Sequence, residues 1–363
     1  MASQSLQKTF RFAVPPRMRL ASTLLALTIF ASIPSLCAED APVRYEASHD
    51  SMGTLFTIVA YGRDARFLAE VVNQAFDEID SLDAQMSNYK PASELSRINR
   101  DAAREAVLVE PKLFQLIADS IRGSEEMGGA FDITVGPLMK TWGFFRGQGR
   151  VPTAQELSRV MKHVGYQHVQ LDPEKRTIRF DVAGLELDLG GIAKGYAVDR
   201  AADILRSNGV TIALVSSGTS SIYALGAPPG ERAWRVTLRD PFHAHKAGDV
   251  AYLKNYSFSA SGNYERFFTL GGKTYSHIMD PRTGRPVENV LSTAVLAPRG
   301  VESDILSKFY VLGVEGTRRY LATHPQVSVL FYTPTGEPGG FARTFLQSPS
   351  FNLPTGSVAE FVR

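Results

Sequence analysis

The chain has 363 residues, 44% of them hydrophobic and 21% charged, with a formal net charge of +2. That is enough material for a large core in one or two domains, and it excludes a small scaffold stapled by disulfides. The near-neutral balance and the lack of a long basic stretch exclude nucleic acid as an electrostatic partner.

The first element is N-terminal. Lys8, Arg11, Arg17 and Arg19 precede the uncharged run Leu20 to Ala38, and Glu39 and Asp40 follow at once. A basic flank, an apolar run and small residues at its end describe a secretory signal over residues 1–38, removed on export. Ser22, Thr23, Ser32 and Pro34 interrupt the run, which argues against a retained anchor. Cys37 is the single cysteine, and it follows Leu36 rather than a small residue, so lipidation is disfavoured. Cleavage after Ala38 leaves no thiol for a disulfide or a nucleophile. The expected location is periplasmic or exported, with attachment to the inner membrane as the alternative.

Residues 43–340 read as one domain of mixed helix and strand. Leu68, Val71, Val72, Ala75, Phe76, Ile79 and Leu82 recur at three- and four-residue spacing and predict an amphipathic helix. Leu113, Phe114, Ile117 and Ile121 predict a second, with Pro111 suited to its first turn. Ala197, Val198, Ala201, Ile204 and Leu205 predict a third, stopped near Gly209. Strands are predicted at Thr177 to Val182, Thr211 to Val215, Ile222 to Leu225, Trp234 to Leu238 and Val327 to Tyr332. A Pro-Pro-Gly turn too short for a parallel crossover joins Ile222–Leu225 to Trp234–Leu238, so those two are expected to pair antiparallel. Helices and strands do not alternate strictly, which gives an α+β class. Residues 341–363 lose periodicity and read as a loosely packed tail.

Five segments concentrate polar or glycine residues. Asp188 to Tyr196 places Gly190, Gly191 and Lys194 before the third helix, where backbone N–H groups attract phosphate; a glycine turn with a solvated lysine is the alternative. His277 lies in an apparent strand before a turn set by Pro281 and Gly284, and can accept a proton from an attacking hydroxyl or serve only structurally. Ser259 to Tyr264 forms a small polar turn that either meets a phosphate or ends a strand. Tyr89, beyond the first helix and before Ser93 and Glu94, either stacks on a flat ring or covers a core edge. Asp304, Ser307 and Lys308 project from one helix face, as oxygen ligands for Mg²⁺ or as a surface Asp–Lys pair.

In order along the chain, Met52–Thr54, Met86–Tyr89, Ser93–Glu94 with Asn99, Gly129–Pro137, Asp188–Asp199, the Ser-Gly-Asn-Tyr segment and the His277 block resemble the ApbE family of FAD:protein FMN transferases. The resemblance extends from Met52 to Gly313 and implies a single catalytic domain of largely antiparallel sheets with packed helices. It implies FAD as donor, with the isoalloxazine beside Met52 and Tyr89, and further flavin-binding positions at Ala130, Phe131, Asp132, Asp188, Lys194 and Ile278. It implies Mg²⁺ held by the Gly191 carbonyl, Asp304 and Ser307, and His277 as base for a threonine or serine hydroxyl of an acceptor flavoprotein. That hydroxyl would attack the FMN-side phosphorus and expel AMP. Lys308 departs from the family's usual threonine, Gly218–Ser221 from a Gly-Gly-acidic or Gly-Gly-amide stretch, and Ala260 from Thr-Ser-Gly. The Lys308 ammonium is expected to pair with Asp304 and partly replace one magnesium ion. A non-catalytic FAD-binding protein and an FAD pyrophosphatase are the competing functions. An oxidoreductase is disfavoured, because Gly190–Gly191 lacks the spacing of a dinucleotide fingerprint.

Overall fold

The computed structural model describes residues 41–362 apart from 148, 243–246, 264–266 and 338, and the side chains of 146 and 247 are also outside the description. Residues 1–38, expected to be a secretory signal, with Cys37, and Tyr264 therefore lie outside the described residues.

In chain order, β1 (Val43–Ser51) and β2 (Thr54–Gly62) lead to α1 (Ala65–Met86) and α2 (Glu94–Asp101). Next come β3 (Val107–Leu108), α3 (Pro111–Glu126), α4 (Gly136–Thr141), a 3-10 turn (Phe144–Arg146) and α5 (Ala154–Val160). β4 (Val169–Asp172) and β5 (Thr177–Phe180) precede α6 (Ala193–Ser207). Nine strands follow: β6 (Ile212–Ser217), β7 (Ser221–Leu225), β8 (Trp234–Arg239), β9 (Ala247–Lys254), β10 (Tyr256–Gly262), β11 (Phe267–Leu270), β12 (Lys273–Ser276), β13 (Met279–Asp280) and β14 (Arg285–Pro286). β15 (Ser292–Ala297), α7 (Gly300–Leu306), α8 (Phe309–Leu321), β16 (Ser328–Pro334), β17 (Phe341–Gln347) and β18 (Val358–Val362) complete the described chain.

An eight-stranded sheet, ordered β1-β2-β6-β7-β10-β15-β16-β17, organises the domain. Its neighbours all run antiparallel, which agrees with the α+β class. β7 and β15 are buried along their whole length, because both faces of the sheet's centre are covered. One face carries the main core with α1, α6 and α7. The other packs on a three-stranded sheet ordered β18-β9-β8 through Ile222, Trp234, Val236, Leu253 and Phe258. Fully burying an aliphatic or aromatic side chain contributes about 1.5–3 kcal/mol, so these two layers dominate the fold's stability.

The three predicted amphipathic helices all form. α1 begins where Asp64 accepts from the N–H groups of Arg66 and Phe67, and it buries Leu68, Val71, Val72, Ala75, Phe76, Ile79, Leu82 and Met86. α3 starts with Pro111 in its first turn. α6 contributes Ala197, Val198, Ala201, Ala202 and Leu205 to the core.

Two expectations need correction. Ile222–Leu225 and Trp234–Leu238 do not pair, because β6 and β10 occupy both edges of β7, and β8 crosses to the smaller sheet beside β9. The expected loose tail, residues 341–363, contains two paired strands. β17 pairs with β16 from Pro334↔Phe341 to Ser328↔Gln347, and β18 pairs with β9 from Lys254↔Val358 to Val250↔Val362. Both lie at sheet edges, where one row of backbone groups is bonded and side-chain alternation is weak.

Candidate functional site

Met52 and Gly53 are the two central residues of the β1–β2 hairpin, whose last pair is Ser51↔Thr54. Both have positive φ, 50° and 68°, as a two-residue hairpin with right-handed strand twist requires. A glycine suits that turn better than methionine, so the half-buried Met52 is held there by the pairing on either side. The hairpin abuts the Gly218 turn between β6 and β7, where a Cβ on Gly218 would stand 2.9 Å from Thr54 Oγ1.

Tyr89 and His277 face two neighbouring aromatic residues. Tyr89, 61% exposed, stacks on Phe145 with ring centroids 4.3 Å apart and planes 7° from parallel. The adjacent Phe144 meets His277 edge-on at 6.5 Å. The Tyr89 loop is fixed by hydroxyls: Ser93 caps α2 and donates to Ser87 O at 2.7 Å, while Ser87 Oγ accepts from Tyr89 N–H at 3.2 Å. His277 is half-buried in a bend between β12 and β13, just past the strand in which it was expected. Its surroundings are aromatic, with Phe268 stacked on Tyr275 at 5.1 Å and Trp142 Nε1–H donating to Gly284 O at 2.9 Å. Ile278, next in the chain, is buried, and its carbonyl accepts from Val287 N–H. Sequence reasoning missed Phe144 and Phe145. The only signal was an aromatic pair after Trp142 and Gly143, and nothing in their spacing ties them to Tyr89 or His277.

Ala130, Phe131 and Asp132 follow a turn in which Gly128 and Gly129 both have positive φ. Ala130 and Phe131 are buried. The Asp132 carboxylate accepts from Thr134 N–H at 2.8 Å, Thr134 Oγ1–H at 2.7 Å and Tyr166 N–H at 2.8 Å. Burial nevertheless pushes its pKa above the ordinary carboxylate value, outweighing these donors. Asp132 thus clamps the loop. Asp188 is joined to the same segment by its N–H, which donates to Ile133 O at 2.6 Å, and its Oδ1 accepts from Gly190 N–H at 2.8 Å. Asn99 braces the preceding residue at both backbone groups, donating to Leu187 O and accepting from Leu187 N–H.

Lys194 is half-buried in the first turn of α6, but that turn is not a bare anion nest. Ala193 N–H is bonded to Leu189 O, and Gly195 N–H donates to Asp304 Oδ2 at 2.6 Å. Asp304, 5% exposed, also accepts from Ser221 Oγ at 2.7 Å and Ser259 Oγ at 2.5 Å on Oδ1. A carboxylate at a helix N-terminus with three donors satisfies the demands of a buried charge. In return, Asp199 on α6 accepts from Gly300 and Val301 N–H at the start of α7.

Of the polar segment expected from Ser259 to Tyr264, residues 259–262 end strand β10 and Asn263 turns away from it, so the strand-ending alternative holds there. Ser257, Ser259 and Ser261 alternate along β10 and share the face toward α7, while Phe258 joins the core on the other side. There Ser257 and Ser259 meet Ser303, and Ser261 meets Ser307 at 2.9 Å.

Asp304, Ser307 and Lys308 do not share a continuous helix face. α7 ends at Leu306, Ser307 follows it, and Lys308 precedes α8. The Lys308 side chain turns back, and its Nζ donates to Ser307 Oγ at 2.8 Å, Asp304 O at 3.3 Å, Ser261 Oγ at 3.4 Å and Gly191 O at 3.5 Å. The expected Lys308–Asp304 pairing is therefore made to the main-chain oxygen, because serines and Gly195 hold the carboxylate. Among the described residues no group of three or more His, Cys, Asp or Glu could hold a metal. The donors expected for Mg²⁺ are thus one carbonyl and one hydroxyl already facing an ammonium, and one carboxylate already held by three protein donors. Mg²⁺ demands oxygens at about 2.0–2.1 Å in octahedral geometry, and an ammonium in the same space repels it. These residues do not fit a magnesium ion as the chain stands.

Comparison with known proteins bears on this arrangement. The ApbE family model matches residues 52–331. An FAD:protein FMN transferase of Salmonella typhimurium is 32% identical over 260 residues, covering 70% of this chain and 74% of that protein. One of Vibrio cholerae is 31% identical over 321 residues, covering 86% and 94%. Among solved structures, an ApbE protein of Thermotoga maritima matches with a TM-score of 0.75 and 30% identity over 85% of this chain and 98% of that one. The flavin transferase ApbE of Vibrio cholerae gives 0.73 and 30%, with the same coverage. With a family model spanning most of its length and an antiparallel core shared with these structures, the chain belongs to the ApbE family.

Proposed function

We propose that this chain is an FAD:protein FMN transferase, which moves FMN from FAD to a hydroxyl of an acceptor protein and releases AMP. The observation that carries the proposal is the aromatic turn Phe144–Phe145, whose adjacent rings meet a stacked Tyr89 and an imidazole, His277. A flat ring system suits the first contact, and a hydroxyl that must lose its proton suits the second. In the step, the acceptor oxygen bonds to the FMN-side phosphorus and the bond from that phosphorus to the bridging oxygen breaks. AMP leaves with that oxygen, and a ring nitrogen of His277 takes the hydroxyl proton. Phosphoryl transfer of this kind depends on positioning and charge neutralisation. Lys194 at the start of α6 and Lys308 at the α7–α8 junction are positive groups that support the latter. The acceptor is an exported or membrane-bound redox flavoprotein with a threonine or serine target, met in the periplasm after removal of residues 1–38. A magnesium requirement at Gly191, Asp304 and Ser307 is not carried over.

The test incubates the protein with FAD and a threonine-bearing acceptor peptide. Covalently fluorescent peptide with one AMP per label supports transfer. FMN and AMP without labelled peptide turn the protein into a pyrophosphatase, and FAD left intact turns it into a flavin-holding protein. Cell fractionation tests the location, and retention in the cytoplasm would defeat export.

A further inference from the structure

Four oxygens of different origin converge on the Lys308 ammonium: the carbonyls of Gly191 and Asp304 and the hydroxyls of Ser261 and Ser307. Carbonyls and hydroxyls of this kind are the ligands that hard divalent cations take from proteins. An ammonium is a strongly hydrated point charge with three donors, so leaving water at a half-buried position requires such acceptors in place of its hydration shell. The set is built by distant parts of the chain. β10 supplies Ser261, the end of α7 supplies Ser307 and the Asp304 carbonyl, and the glycine turn before α6 supplies Gly191. A Cβ on Gly191 would stand 3.7 Å from Lys308 Cε and 3.7 Å from the Phe131 ring, ordinary contact distances that place this turn directly against the lysine stem.

We propose that Lys308 is a tethered cation that fills this oxygen set in place of a divalent metal, so that the protein engages its phosphate-bearing substrate without a divalent ion there. The idea that the substrate is FAD rests on the function proposed above, whereas the occupancy of the oxygen set does not. One feature separates this arrangement from an ordinary surface lysine: three separate parts of the chain bring carbonyl and hydroxyl oxygens, the donors a hard divalent cation takes, to the same ammonium.

Manganese(II) is the probe, followed by electron paramagnetic resonance on the full-length exported protein, with Lys308→Thr and Lys308→Met compared after their thermal unfolding shows that they fold. The wild type is expected to show no bound manganese at this set. Lys308→Thr, which adds an oxygen and removes the ammonium, is expected to gain one site, tightened about tenfold or more. Lys308→Met keeps the volume without charge or oxygen and is expected to bind weakly or not at all. A manganese anomalous peak in wild-type crystals bonded to Gly191 O or Ser307 Oγ, with Lys308 turned away, would overturn the proposal, as would equal manganese affinity in wild type and Lys308→Thr. FAD binding in EDTA forms a separate arm. Affinity unchanged from that in Mg²⁺ supports the tethered cation, and affinity lost in EDTA but restored by Mg²⁺ refutes it. No FAD binding under either condition, with the manganese pattern as expected, sinks the donor assignment alone.

Discussion

Gly195 N–H donates to Asp304 Oδ2 at 2.6 Å, joining residues 109 positions apart. The bond exists because the two helices cross at glycines. A Cβ on Gly195 would stand 2.2 Å from Gly300 O and 2.7 Å from Asp304 Cγ. Replacement by alanine forces backbone on backbone, which a rotamer change cannot relieve. Gly195→Ala is expected to destabilise the fold by about 1–3 kcal/mol or more, seen as a lower denaturant midpoint at unchanged slope. An unchanged midpoint would mean that the helices slide apart freely.

His277 has a consequence that separates binding from chemistry. His277→Ala is expected to lower peptide labelling by about 10²–10⁴-fold while FAD affinity, measured by flavin fluorescence, stays near the wild-type value. A loss confined to affinity would assign the imidazole to binding.

The stack between Tyr89 and Phe145 predicts an energetic coupling. In a double-mutant cycle with Tyr89→Ala and Phe145→Ala, read by unfolding free energy, the coupling is expected at about 0.5–1.5 kcal/mol. Additive effects would show that the rings touch without supporting each other.

Glu302 gives a dependence on pH. Burial raises its pKa from the ordinary 4.5 to about 7, with Arg299 opposing and the Asp199 and Glu126 charges adding to the rise. Asp199 rises from 3.8 to about 6, again chiefly through burial. Each group binds its proton more tightly folded than unfolded, so the stability it contributes is complete below its unfolded value and is lost as pH rises through its folded value. The unfolding temperature should therefore fall between pH 3.8 and about 7, and Glu302→Gln should flatten the upper part of that fall by on the order of 2–4 °C. The same slope in wild type and variant would remove Glu302 as its source.

Much of this was legible in the sequence wherever one period was sustained. The stripe from Leu68 to Leu82 needed only three- and four-residue spacing, and Pro111 marked a helix start by its missing N–H. The ordered glycine and polar segments sufficed for the family. What was not legible required knowledge of partners. Asp304 and Lys308 suggested an ion pair only on the assumption of an unbroken helix, and the break at Ser307 sends the ammonium to carbonyls instead. β8 could not be assigned to a second sheet, because a short loop fixes distance along the chain but not which edge of β7 is already taken. Phe345 is 48% exposed on β17, so that edge strand lacks the buried alternation by which strands are recognised. Phe144 and Phe145 carry no periodic signal at all.

That last pair has a mechanical meaning. Gly143 and Gly147, with φ of 78° and 66°, bracket the turn that holds both rings, and such residues absorb backbone rotation at little steric cost. Phe144 and Phe145 are adjacent in one 3-10 turn, so a rotation of its backbone carries both rings. Any excursion of that segment withdraws the partner of Tyr89 and the neighbour of His277 in a single movement, so the two halves of the centre are latched to one pivot.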